Sequence, residues 1–163
     1  MSKKSANIKA VMQPSSSVIV SCRGRDGKDN ALVVAYCCNC SYDPPMAMVG
    51  IVPSRYSYQL VKDTGCFVVN IPAKANKALF NYMGSHSGRE EDKLKAFGAK
   101  ISNGLKVNAP VLEDCPVSIE CTVVDSIRTG SHEMFAGKIE HIHVDEQFLK
   151  EDGAINFAAI ELL

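Results

Sequence analysis

At 163 residues the chain has the length of one ordinary domain and can bury a core without disulfides or metals as staples. It is 46% hydrophobic and 22% charged, with 18 Lys and Arg against 18 Asp and Glu, a globular and balanced composition rather than a disordered or polycationic one. A nucleic-acid binder carries a cationic excess that neutralises phosphates, so this composition argues against such a partner.

The opening residues, Met1 to Pro14, are charged and hold no apolar run of signal-peptide length, and no later stretch is long enough to span a bilayer. The expectation is one domain over residues 1–163 with a short N-terminal tail of about residues 1–10, resident in the cytoplasm and away from membranes. Seven cysteines, Cys22, Cys37, Cys38, Cys40, Cys66, Cys115 and Cys121, lie mostly in apolar stretches, which fits reduced and largely buried thiols.

Ser17 to Cys22 is a β-branched run, the tract from Arg23 to Asn30 is polar and turn-rich, and Ala31 to Cys38 is apolar again. Asp43, Pro44 and Pro45 interrupt the chain before a third strand, Met46 to Val52. Three strands with no helix between them favour antiparallel pairing, since parallel neighbours need a long crossover. Ser54 to Thr64 reads as a short helix with Ser54 as N-cap and Gly65 just past its end. Cys66 to Ile71 is a strand and Ala73 to Met83 a helix. Ser87 and Glu90 form a capping-box pattern that opens a further helix ending at Phe97. Val117 to Ile127 and Met134 to Val144 are strands joined by a turn at Arg128 to Ser131, and a phase shift between Phe135 and Ile142 predicts a bulge near Ile139. The fold class is mainly β (α+β): about six strands with helices inserted between the fourth and fifth fit a closed antiparallel barrel better than a doubly wound sheet.

Two constellations carry chemistry. Ser54, Arg55, Tyr56 and Ser57 bring hydroxyls and a guanidinium to a predicted helix start, which suits a phosphate-sized anion; a capped surface helix accounts for the same residues equally well. Ser85, His86, Ser87, Gly88 and Arg89, followed by Asp92 and Lys93, repeat the pattern, although taken alone they fit a solvated helix start. Recurrence of such loops in one small β domain points to a mononucleotide. His132 stands at the entrance of a strand, a position that could place an imidazole at a barrel rim, although most such histidines are ordinary turn residues. His141 and His143 share a strand face, but no third metal ligand can be picked out. Cys37, Cys38 and Cys40 lack the spacing and the second pair of a zinc site. The chain has no G-x-G-x-x-G after a strand, no P-loop and no nucleophile elbow, so any NAD(P)H would bind transiently.

The order of these motifs carries a resemblance over nearly the whole chain. Asp26 to Asn30, Ser41-Tyr42-Asp43-Pro44-Pro45, Pro53-Ser54-Arg55-Tyr56-Ser57 and Gly65 to Asn70 are followed by Ser87-Gly88-Arg89, Asp92-Lys93, Ala109-Pro110, Ile119-Glu120-Cys121 and Gly130-Ser131-His132. In this order they resemble the flavin reductase-like, FMN-binding split-barrel family, and in particular its flavoredoxin branch. The resemblance implies a six-stranded Greek-key split barrel with a few short helices, a homodimer, and one noncovalent FMN per subunit near the subunit boundary. It implies Asn30 and Tyr36 beside the isoalloxazine, with Cys37, Cys38, Cys40 and Ser41 along its edge. Ser54, Arg55 and Ser57 would hold the phosphate, joined by Ser87 and Lys93, and His132 would complete the pocket. The implied activity is electron transfer from NAD(P)H or a protein donor through FMN to free flavin, a ferric complex or a redox protein. A non-catalytic FMN-storing module is the rival from another class, and a pyridoxamine phosphate oxidase-like enzyme would need a second basic site. Tyr36 and the thiol-rich run after it depart from the family pattern.

Overall fold

The computed structural model describes residues 2–9 and 12–163, so the expected tail of about residues 1–10 falls partly outside the described residues. In chain order the elements are β1 (Val18–Arg23), β2 (Asp29–Val34), β3 (Cys37–Ser41), β4 (Met46–Ile51), α1 (Tyr56–Thr64), β5 (Cys66–Ile71), α2 (Lys77–Ser85), α3 (Lys93–Phe97), β6 (Ile101–Asn103), β7 (Pro110–Leu112), β8 (Val117–Thr129) and β9 (His132–Val144). Seven strands form one antiparallel sheet in the order β2-β1-β5-β8-β9-β4-β3, with β6 and β7 as a separate pair.

The seven strands and the expected six are reconciled at one bend. Strand β2 pairs with β1 through Val18↔Val34, and β3 pairs with β4 from Cys37↔Val49, so the two ends of the sheet belong to one stretch of chain. That stretch turns at Ala35 and Tyr36, where the Gly50 amide donates to the Tyr36 carbonyl at 2.8 Å. The Ala31–Cys38 run therefore divides into two strands, and its bend is the seam of the split barrel. An uninterrupted apolar run gives no periodicity from which a bend can be read.

Side chains inside the barrel alternate along the strands, as a half-buried sheet requires. Val20, Cys22, Val49, Ile51, Phe67, Val69, Cys121 and Phe135 are almost wholly shielded. Phe67 fills the centre, and Gly137 on β9 lies against it: a Cβ there would meet Phe67 Cζ at 2.7 Å and Cys121 Cβ at 2.8 Å. Truncation of Phe67 to Ala would cost about 3–5 kcal/mol from lost burial and the cavity left behind. A second cluster, with Ile19, Ala31, Leu79, Met83, Leu94 and Leu112, packs α2 and α3 against β1 and β2.

Two expectations about local structure are corrected and a third is borne out. Helix α1 is capped at Arg55, with no side-chain cap, so Ser54 is not its N-cap. Ser87 and Glu90 do not open a helix. Ser87 to Glu91 is a turn in which the Ser87 carbonyl accepts from the amides of Glu90 and Glu91, and α3 begins only at Lys93 behind an Asp92 cap. The bulge of β9 falls at Glu140, because Glu120 faces His141 while Cys121 faces Ile139, and a second irregularity sits at Val124 on β8. The expected bulge near Ile139 is thus present one residue along.

Buried polar groups are satisfied. Asn70 donates to the Ile19 carbonyl and the Ser21 hydroxyl, and accepts from the Leu112 amide and the Ser118 hydroxyl. Glu120, fully buried, accepts from the amides of Leu105, Lys106 and Val107 and contacts His143 Nε2 at 2.6 Å. Burial alone would raise its carboxyl, but these hydrogen bonds together outweigh burial and hold the group at about 2.

Candidate functional site

Two cavities adjoin at Leu32 and Val33 of β2 and at Arg55. The smaller, of about 120 Å³, lies between the start of α1 and the turn after α2. It is lined by Asn30, Ser54, Arg55, Ser57, Ser87, Gly88, Arg89 and Lys93, among others. The larger is a trough of about 860 Å³ whose walls come from Leu32 to Cys38, Gly50 to Val52, Arg55, His132, Met134 and the segment from Pro14 to Ser16. Leu32, Val33 and Arg55 line both, so the two adjoin.

The small cleft is built to receive an anion. Lys93 is buried, and its ammonium donates to the carbonyls of Met83 at 2.8 Å and His86 at 2.9 Å. An ammonium has three hydrogens, so one remains for a ligand. Burial is the main cause that depresses this group; Cys22 opposes it, Arg55 adds to the depression, Glu91 opposes it least, and the group falls to about 8. A phosphate in the cleft would reverse that cost. Asn30 donates to the Ser57 hydroxyl at 2.7 Å, which orients a hydroxyl that is itself shielded from solvent. Gly88 closes the cleft tightly: a Cβ there would meet Asn30 Oδ1 at 2.5 Å and Tyr56 Cδ1 at 2.6 Å. Arg89 donates to the Ser54 carbonyl at 2.8 Å and its guanidinium lies 5.8 Å from the Tyr56 ring centre, joining the two loops.

The trough is apolar and carries Arg55 as its charged residue at the cleft end. Tyr36 and His132 flank it with ring centres 4.7 Å apart, and His132 Nδ1 lies 2.8 Å from the Ser131 hydroxyl. Cys38 is exposed and opens onto the trough, whereas Cys37 packs on the barrel core and burial pushes its thiol up to about 12. Ser16 ties the N-terminal segment to the wall by donating to the Cys37 carbonyl at 2.5 Å.

The structure thus gathers Asn30, Ser54, Arg55, Ser57, Ser87 and Lys93 at the cleft, and Tyr36, Cys37, Cys38, Arg55 and His132 at the trough. Cys40 and Ser41 stand apart in a shallow depression with Pro45, Met46 and Ile139, carried there by the β3 bulge. Arg89 and Gly88, quoted in the sequence only as part of a motif, prove to be walls of the cleft. The residues that sequence reasoning missed, Leu32, Val33, Gly50, Val52 and Met134, are ordinary strand residues with no local signature. His141 and His143 hold no metal constellation, and no such group occurs among the described residues; His143 is engaged by Glu120.

A seven-stranded antiparallel sheet whose two end strands are joined by one bend, with a cationic cleft beside an apolar trough, defines the class as a split-barrel protein. The chain belongs to the family described as flavin reductase like domain, whose model matches residues 12–158. The solved flavoredoxin of Desulfovibrio vulgaris (Miyazaki F) is 30% identical, with a TM-score of 0.88 over 94% of this chain and 82% of that one. A protein of Archaeoglobus fulgidus is 30% identical over 130 residues, 80% of this chain and 73% of its own length. The FMN reductase (NADH) RutF of Agrobacterium fabrum is 29% identical over 116 residues, 71% of this chain and 64% of its own. The chain spans between about half and three quarters of the length of such curated relatives, 54% in Aeropyrum pernix. No helix among the described residues is long and apolar enough to cross a membrane.

Proposed function

We propose that this chain is a cytoplasmic flavoprotein that binds one FMN noncovalently and passes electrons from NAD(P)H or a protein donor to an acceptor such as free flavin, a ferric complex or a redox protein. The observation that carries this reading is that the phosphate-sized cleft adjoins the apolar trough, with Leu32, Val33 and Arg55 common to their walls. A phosphate monoester joined by a flexible chain to a flat apolar ring system requires those two compartments in that order. FMN, when bound, supplies the hydride and single-electron chemistry.

The chain's residues bind and orient. Lys93 and Arg55 supply positive charge at the cleft, with the hydroxyls of Ser54, Ser57 and Ser87 around them. Tyr36 and Met134 shape an apolar floor over Gly50, where a Cβ would meet Met134 Sδ at 2.6 Å and Tyr36 Cβ at 3.1 Å. His132 stands at the trough mouth with its ring against Tyr36. Subunit pairing fits the outer face of the β8–β9 hairpin, where exposed Ile127 stands opposite Met134 next to the trough. A homodimer formed there would cover the trough.

The test is anaerobic titration of the FMN-loaded protein with NADH and NADPH, followed by visible absorption. Bleaching by either nucleotide, or by a reduced redox protein, supports the reductase reading. A yellow protein inert to every donor is a storage module, and a protein that takes up no FMN refutes the site.

A further inference from the structure

Lys93 serves an anion only if its remaining N–H points into the cleft, and that direction is set by the two carbonyls that take the others. The Met83 carbonyl belongs to α2 and is fixed by the helix. The His86 carbonyl lies past the last helical hydrogen bond, which runs from the His86 amide to the Tyr82 carbonyl, and His86 there takes an extended conformation with ψ of 154°. Something other than the helix must hold that peptide.

A stack of rings does so. The His86 imidazole folds back on the ring of Tyr82, four residues earlier, with ring centres 3.8 Å apart and planes 12° from parallel. Its Nδ1 lies 3.2 Å from the Tyr82 carbonyl and 3.0 Å from the Ser85 hydroxyl. The His86 side chain is 43% exposed, so little burial fixes it and the Tyr82 face carries its placement. Tyr82 is anchored from the far side: its hydroxyl donates to Glu91 at 3.0 Å, and its ring tilts against Phe97 with centres 5.4 Å apart. The Glu91 amide in turn donates to the Ser87 carbonyl, which ties the same carboxylate-bearing residue to the turn. Phe97 and Lys93 lie four apart on α3, as Tyr82 and His86 do at the end of α2. The two pairs therefore face each other as a ladder, Tyr82 against Phe97 and the His86 carbonyl against the Lys93 ammonium.

Resting on the FMN reading above, we infer that Tyr82 and His86 are positioning residues for the phosphate: their stacked rings hold the His86 carbonyl on the Lys93 ammonium and so aim its remaining N–H at the bound anion. Tyr82 and Phe97 line neither the cleft nor the trough, so they act on the ligand only through Lys93. A stacked pair of this kind shifts an equilibrium about two- to tenfold, which bounds the effect of removing it.

Three variants test the ladder. His86→Ala removes the stack, Tyr82→Leu removes its partner from outside the cleft, and His86→Phe keeps a ring on Tyr82 without a ring nitrogen. Two quantities are measured: the affinities for FMN and riboflavin by fluorescence quenching, and the titration of Lys93 in the apo-protein by the carbon chemical shift of its ε-methylene. His86→Ala and Tyr82→Leu should weaken FMN about two- to tenfold and leave riboflavin unchanged. In both, Lys93 should lose its proton below the wild-type value of about 8, because an ammonium with one acceptor fewer is less favoured. Cys22, Arg55 and Glu91, which bear on the Lys93 charge, are present in every variant. His86→Phe should restore both readouts. Lys93 titrating as in the wild type when either ring is deleted overturns the inference, whatever FMN does. Loss of FMN in His86→Phe equal to that in His86→Ala also overturns it, since the imidazole would then be a direct ligand. A wild type that takes up no FMN refutes the FMN reading, while a lowered Lys93 titration in the ring-deleted variants still supports the ladder.

Discussion

Replacement of Lys93 by Met tests the anion cleft most directly, because it removes one charge from a buried position while nearly conserving volume. The wild-type ammonium is held at about 8 rather than its ordinary 10.5, and at about 1.4 kcal/mol per pH unit this corresponds to about 3 kcal/mol of penalty for keeping it charged at neutral pH. The substitution relieves that penalty but leaves the Met83 and His86 carbonyls without their donor, at about 1–3 kcal/mol each. The two effects oppose each other, so the thermal midpoint should move little. Ligand binding should move much more: loss of a charge-assisted hydrogen bond to phosphate removes about 1.5–3 kcal/mol, roughly ten- to a hundredfold in affinity for FMN, while riboflavin, which has no phosphate, binds as before. The wild type should also show a pH signature. Lys93 loses its proton through about pH 8 in the free protein and retains it beside a phosphate, so FMN affinity falls as pH rises above about 8, and riboflavin affinity does not follow. Flavin fluorescence quenching from pH 6 to 9.5 reads both effects. Equal losses for FMN and riboflavin, or an unchanged FMN profile in the variant, would refute the assignment of Lys93 to the phosphate.

Other outcomes follow from the same geometry. Gly88→Ala places a methyl against Asn30 Oδ1 and the Tyr56 ring, and should weaken FMN at least tenfold in the quenching assay with a shift of only a few degrees in Tm. Glu120→Gln should cost about 2–3 kcal/mol in urea unfolding. The native carboxyl is depressed to about 2, below its ordinary 4.5, so its stabilisation is complete above about pH 4.5 and is lost as pH falls toward 2; the variant should lack that acid-limb loss. Exposed Cys38 should react with a maleimide before half-buried Cys37 and buried Cys22 or Cys121, and FMN should slow its labelling; mass mapping that finds Cys38 unprotected would place the ring elsewhere. Ile127→Arg should shift sedimentation from dimer to monomer if the β8–β9 face is the subunit contact.

Much of this protein was legible from local pattern, because β-branched runs, turn residues and capping glycines act over a few residues. The strands from Val18 to Ile71, the long hairpin from Val117 to Val144 and its bulge beside Ile139 all come from alternation that neighbouring residues reveal. The two polar loops carrying Ser54, Arg55 and Ser57 and then Ser87 and Lys93 stood out through the clustering of hydroxyls and cations alone. The three-dimensional arrangement decided the rest. That Ala31 to Cys38 bends into the barrel seam depends on its pairing with β1 at one end and β4 at the other, and those partners lie on either side of it in sequence. The turn at Ser87 overrode a capping-box pattern because Lys93, drawn into the interior by the Met83 and His86 carbonyls, sets where α3 can begin. Cys40 and Ser41 left the site because one bulged residue re-aims a strand. The trough itself draws on Val34, Gly50, His132 and Met134, side by side only once distant strands have paired, so no local motif could announce it.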